Sequence, residues 1–157
     1  MLFEEEKQAL CLSEYVQLKS LALKSAKDFL TLYESIPDKH KSCLPKRTTF
    51  YGPIPRTASE MYEHTKNVNR YYFGEIGVCA DNEGDIVSCR ERGLALLENQ
   101  PDFLNNTVYT GSYSENWSLR KVLRRFIWHD RIHARAMYRM AAKTFGAAVI
   151  PNIFLFD

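Results

Sequence analysis

Three of the four histidines in this 157-residue sequence are spaced so that they could meet at one point. His129 and His133 lie in WSLRKVLRRFIWHDRIHARAMYRMAAKTF, where Leu119, Val122, Phe126, His129, His133, Ala136 and Met140 advance by alternating steps of three and four. That is the seam a helix turns toward a core. Residues four apart share a helix face one turn apart, so two imidazoles can approach one ion without bending the backbone. His64 belongs to a comparable series, Met61, His64, Val68, Tyr71 and Glu75. Helices pack with axes about 8–10 Å apart, close enough for imidazoles on facing helices to share an ion at about 2.0–2.1 Å each. His40, in a proline-rich stretch, stands outside this set.

Three neutral imidazoles would leave a divalent ion's charge uncompensated and one coordination position open. A water there could acidify to a pKa of about 7, whereas a small thiol would be held as its nucleophilic thiolate. The first outcome is hydrolysis and the second is transfer to sulfur. The bland alternative is three core histidines, each hydrogen-bonded and neutral, and spacing alone leaves both open. Arg125, one turn before His129, could bind a substrate carboxylate or could be a solvated arginine. Asn67 and Tyr71, one and two turns beyond His64, could orient an imidazole, line a pocket or simply pack. Glu75 could be a buried acid behind the site, a general base, a cap or a surface group. Arg120, Arg124, Arg131 and Arg135 fall on the face opposite the histidines and read as a solvated face or subunit contact, with no recognition-helix motif or stacking platform for nucleic acid. Trp117 and Trp128 read as packing anchors.

The elements that would carry these residues are helical. Periodicity predicts a first helix over about Ser13–Ile36, with Leu12, Val16, Leu23, Ala26, Leu30 and Tyr33 on its seam. Pro45, Pro53 and Pro55 exclude a regular helix from the connection that follows, and its length permits a crossover between non-adjacent helix ends. A second helix is expected from Thr57, where Thr57-Ala58-Ser59-Glu60 is a capping-box pattern, to near Gly77. A third runs from about Ile86 to Asn99, weakened by Gly93, and the last from Ser118 to Phe145, stopped by Gly146. The tail AAVIPNIFLFD reads as a short apolar lid or interface segment. The expectation is an all-α, single domain over residues 1–157, a bundle of four main helices with short extra segments.

The segments TASEMYEHTKNVNRYYFGEI and ENWSLRKVLRRFIWHDRIHARAMYRM resemble the DinB/YfiT-like metalloenzyme superfamily, in which one histidine sits on the second helix and an H-x-x-x-H pair on a later long helix introduced by Trp-Ser or Trp-Thr. The resemblance spans the chain in architecture and is specific over those two segments. It implies a four-helix bundle of crossover topology, frequent homodimers, and a zinc- or nickel-like ion held at the positions of His64, His129 and His133. It also implies a class that includes transferases and isomerases using bacillithiol, mycothiol or glutathione. The expected function is therefore a metal-dependent thiol S-transferase acting on a small molecule. The alternatives are a metal-dependent hydrolase, or a noncatalytic ligand- or partner-binding bundle with a structural metal.

Composition fits a folded intracellular protein. Hydrophobic residues are 45% and charged residues 25% of the chain, ordinary globular proportions, and the net charge of +2 gives no global field to attract nucleic acid or an anionic membrane. The acidic start MLFEEEKQAL lacks the basic and apolar runs of a secretory signal, and no run of about 18 apolar residues exists, so a cytoplasmic location is expected. Cys11, Cys43, Cys79 and Cys89 form no CxxC pair and read as small, part-buried hydrophobes in a reducing compartment.

Overall fold

The computed structural model describes all 157 residues, and its fold is all-α with two minor ladders. The helices are α1 (Leu12–Ser35), α2 (Ala58–Lys66), α3 (Val68–Gly74), α4 (Ile86–Glu98) and α5 (Leu119–Phe145). The ladders are two-residue antiparallel pairs, β1 (Thr48–Thr49) with β2 (Gly52–Pro53) and β3 (Tyr109–Thr110) with β4 (Asn116–Trp117). No helix is long and apolar enough to cross a membrane.

Helix boundaries follow local chemistry. Thr57 Oγ1 accepts the Glu60 N–H at 3.1 Å, while the Glu60 carboxylate reaches one residue past its expected partner to the Arg56 N–H at 2.8 Å. Asp85 Oδ1 accepts the Val87 and Ser88 N–H groups and starts α4; Ser118 Oγ accepts the Lys121 N–H and starts α5. Gly146 ends α5 with a positive φ of 101°.

The single second helix expected from Thr57 to Gly77 is two. Asn67 breaks it with φ −75° and ψ 0°. The groups freed at the break are taken by one side chain: Asn82 Nδ2 donates to the Asn67 carbonyl at 3.1 Å, and Asn82 Oδ1 accepts the Arg70 N–H at 2.8 Å. A distant side chain thus overrides helical periodicity.

Cross-helix contacts give the directions. Glu14 meets Arg120 and Ser25 meets Asp130, so α1 and α5 run the same way. Tyr15 and Lys19 meet Glu98 whereas Ala22 meets Arg90, so α4 opposes α1. The Tyr62 hydroxyl accepts the Ile86 N–H, Asn69 meets Cys89 and the Phe73 ring lies on Gly93, so α2 and α3 run with α4. A Cβ at Gly93 would overlap the Phe73 ring; the residue that weakened the expectation of α4 is one the packing requires.

The core is two apolar clusters separated by a polar layer. One holds Ala22, Tyr72, Phe73, Leu94, Trp117 and Phe126; the other holds Phe29, Met61, Tyr62, Ile86, Ala134 and Met137. Between them, at the middle of the helices, lie Ser25, Arg90 and Asp130. Arg90 and Asp130 are 1% and 0% exposed and form a two-pronged ion pair, Nη1 to Oδ2 at 2.5 Å and Nη2 to Oδ1 at 3.0 Å. Ser25 donates to Asp130 Oδ2 at 2.8 Å, Arg90 Nη1 also donates to the Ala22 carbonyl at 2.9 Å, and the guanidinium lies 4.2 Å from the Phe126 ring centroid. The network ties α1, α4 and α5 together.

The expected seam of α1 shifts by about one residue, while that of α5 largely holds. In α1, Leu12 and Val16 are exposed, Leu23, Leu30 and Tyr33 are half-buried, Ala26 is buried as expected, and Tyr15, Ala22, Phe29 and Leu32 join it in the core. In α5, Leu119, Val122, Phe126, His129 and Met140 are buried as expected, Ala136 is exposed, and Ala134, Met137 and Ala141 are buried beside them. Of the four cysteines only Cys89 is buried. The tail packs on its own chain, with the Phe156 ring 6.0 Å from that of Tyr138 and Asn152 bonded to the backbone of Phe156 at both N–H and carbonyl.

Removing one partner of the central pair leaves a buried charge unmatched. Asp130→Ala and Arg90→Ala should each lower stability by about 3–5 kcal/mol in urea unfolding, whereas Arg90→Met with Asp130→Leu should recover most of that loss. Single variants costing less than about 1 kcal/mol would show that the pair does not organise the core.

Candidate metal centre

His64 comes from α2, and His129 and His133 from α5, two helices that pack against each other. Each of the three offers a ligand nitrogen, and these atoms all lie within 4.8 Å of one another. Ring centroids are 4.4 Å apart for His129 and His133, 4.5 Å for His64 and His133, and 5.4 Å for His64 and His129. Two imidazole nitrogens on one tetrahedral zinc are about 3.3 Å apart, so a modest inward adjustment of side-chain rotamers would close the set on an ion. The group could hold a metal ion.

The three histidines are not equally buried. His129 is buried, His133 intermediate and His64 exposed, so the expectation that all three point into the core is corrected for His64. The inward face of α2 and α3 runs through Ala58, Met61, Tyr62, Thr65, Asn69, Tyr72 and Phe73. His64 lies beside that face, at the rim of the α2–α5 contact, and gives the cluster a side open to solvent.

Burial, followed by the neighbouring His133 and His64 and the cations Arg125 and Arg90, pushes the His129 pKa down to about 3. Burial and His64 push His133 down to about 4, and loss of solvent at its inner side lowers His64. His129 and His133 are therefore neutral at pH 7, the state in which imidazole has a lone pair to give a metal. His129 Nδ1 is buried with no hydrogen-bond partner, an unmet polar atom of the kind a ligand or a water satisfies.

Arg125 is half-buried one turn before His129, with its Nε buried and unpartnered. Its guanidinium carbon lies 4.9 Å from the Trp128 ring centroid and 5.6 Å from that of Tyr72, and the Tyr72 ring stands edge-on 5.9 Å from His129. Trp128 is 48% exposed and is not a packing anchor; Trp117, at 1%, is. Asn67 and Tyr71 serve elsewhere. Asn67 contacts Glu63 and Asn82, and the Tyr71 ring packs against Tyr72 and Trp117. Both Glu75 oxygens are taken by Ser112, its N–H at 2.6 Å and its hydroxyl at 2.7 Å, which makes Glu75 the anchor of the turn beyond β3.

The arginine face divides in two. Arg120 donates to the carbonyls of Gln8 and Ala9, and Arg124 pairs with Glu6, so both tie the segment before α1 to α5. Arg131 and Arg135 are exposed, with Arg131 5.1 Å from the Phe156 ring centroid. Sequence reasoning passed over Tyr72, Arg90 and Asp130. Asp130 follows His129 directly, and both charges of the pair fall at core spacing in their helices, a signal that each needs a buried partner.

A scan against family models, a search of curated proteins and a search of solved structures each found no match to this chain.

Folded-state values below the ordinary histidine value of 6.5 mean that the unfolded chain binds more protons than the folded one. The histidines' contribution to stability is therefore full above about pH 6.5 and is lost as pH falls through 4 toward 3. Metal-free His129→Leu should show a shallower loss of stability than wild type across this window in urea titrations at stepped pH. Parallel pH profiles would contradict the assigned environment of His129.

Proposed function

We propose that the chain is a DinB/YfiT-like metalloprotein, a four-helix bundle of crossover topology, that uses a divalent ion at His64, His129 and His133 to transfer a small thiol to an electrophilic compound. The observation that carries this reading is the gathering of three imidazoles, two of them held neutral, at an edge open to solvent. The helix directions support the architecture: α1 and α5 run one way, and α2, α3 and α4 the other. A homodimer and a cytoplasmic setting belong to the same proposal.

Imidazole donors suit zinc and nickel, and such an ion, with a coordination position left open, would supply a thiol's sulfur as thiolate. The chain's residues set the stage for that chemistry. His129 and His133, on consecutive turns of one rigid helix, fix two donor directions, and His64 brings a third from across the helix contact. Asp130 is committed to Arg90 and Ser25 and brings no neutralising charge to the cluster. The exposure of His64 argues against a sealed, purely structural metal.

Metal-loaded protein offered glutathione, bacillithiol and mycothiol in turn with a chlorinated aromatic electrophile should form a thioether with at least one of them. That turnover should vanish on metal removal and in His133→Ala. Absence of metal-stimulated conjugation with all three would overturn the transferase reading, and metal-dependent turnover without any thiol would identify hydrolysis instead.

A further inference from the structure

We infer that Arg125, seated between Tyr72 and Trp128, is an anion-binding subsite beside the three histidines, and that the thiol or substrate taken there carries a carboxylate. The inference rests on the metal-site reading and adds the chemical class of its ligand.

Charge balance is the first ground. The ion pairs of α5 engage Arg120, Lys121, Arg124 and Asp130, and Arg125 is in none of them. The guanidinium is half-buried, its Nε is buried and unpartnered, and the side chain it bonds is the neutral Tyr72 hydroxyl, so no anion answers its charge. The nearest acid along the helix, Asp130, already accepts from Arg90 and Ser25.

Position is the second. Arg125 and His129 are separated by one turn, about 6 Å of rise along α5. The Tyr72 ring spans the interval, 5.6 Å from the guanidinium carbon and 5.9 Å from the His129 ring. A ligand whose sulfur lies at the histidines and whose carboxylate sits two or three bonds further along would place that carboxylate against Arg125. Planar guanidinium and carboxylate can then form two parallel hydrogen bonds.

The third is preorganisation. Trp128 at 4.9 Å and Tyr72 restrict the side chain from two sides, so little rotamer freedom is left to lose on binding. Trp128 is 48% exposed, so the guanidinium is approached from solvent. Three uncharged donors add nothing to offset a divalent ion, so ion and guanidinium together would form a strongly cationic pocket. By charge this selects thiols that carry a carboxylate over mycothiol, which has none, and by the two- or three-bond spacing it selects short mercapto acids over glutathione and bacillithiol, whose carboxylates lie further from sulfur.

Cobalt-loaded protein should be titrated with 3-mercaptopropionate and with its uncharged amide, 3-mercaptopropionamide, following the sulfur-to-cobalt charge-transfer band. The acid should bind tighter by roughly tenfold or more, and Arg125→Gln should erase the difference while cobalt content stays the same. Equal binding of acid and amide to wild type would overturn the subsite and leave the metal reading standing. If cobalt is not held by the histidines, that reading fails by itself, and the subsite is judged on Trp128 fluorescence in metal-free protein. A shift with 3-mercaptopropionate that is absent with the amide and in Arg125→Gln supports the subsite; no such difference overturns it.

Discussion

The buried pair between Arg90 and Asp130 is the constraint around which the rest of the molecule is arranged. Two full charges inside a helical core require each other and further hydrogen-bond partners, and the structure supplies them from three helices: Ser25 and the Ala22 carbonyl on α1, Arg90 on α4, Asp130 on α5. Apolar contacts tolerate sliding by a turn or a fraction of one. A two-pronged ion pair with a serine on one oxygen does not, so it sets the register of α5 against its neighbours. Because Asp130 directly follows His129, the same register fixes where the histidine pair emerges.

The polar layer also explains the electrical character of the candidate metal centre. The one carboxylate within α5 near the histidines is spent inside the core, so the cluster presents neutral imidazoles and, one turn away, an uncompensated guanidinium. Burial, mutual proximity and the nearby arginines act in one direction on His129, against protonation. A site poised in this way offers lone pairs to a cation and, once a cation is present, attracts an anion.

Much of this was legible in the sequence, for identifiable reasons. His129 and His133 could be paired because a four-residue spacing on a long uninterrupted helix leaves little freedom, and the ends of that helix were marked by Ser118 and Gly146. The exposure of His64 was not legible, because the inward face of its helix runs one position away from the series that contains it. The break at Asn67 was hidden for a different reason: the side chain that stabilises it, Asn82, is fifteen residues further on. Gly93 carried a misleading signal, since its helix-weakening tendency is outweighed by the Phe73 ring that only a glycine admits. Arg90 and Asp130 lay in plain view as charges at core spacing, but that they pair with each other depends on how α4 and α5 meet. Arg125, Asn67 and Tyr71 were similar candidates by spacing, and tertiary contacts separated them, leaving only Arg125 beside the histidines, in contact with Tyr72 and outside every ion pair.

The measurement that bears most directly on the three-histidine site is X-ray absorption at the zinc edge of protein loaded with one equivalent of zinc and desalted. The expected spectrum shows three imidazole ligands at about 2.0–2.1 Å and one further light-atom ligand. Failure to retain zinc, or a first shell dominated by sulfur at about 2.3 Å from the cysteines, would contradict the assignment of His64, His129 and His133 as the metal ligands.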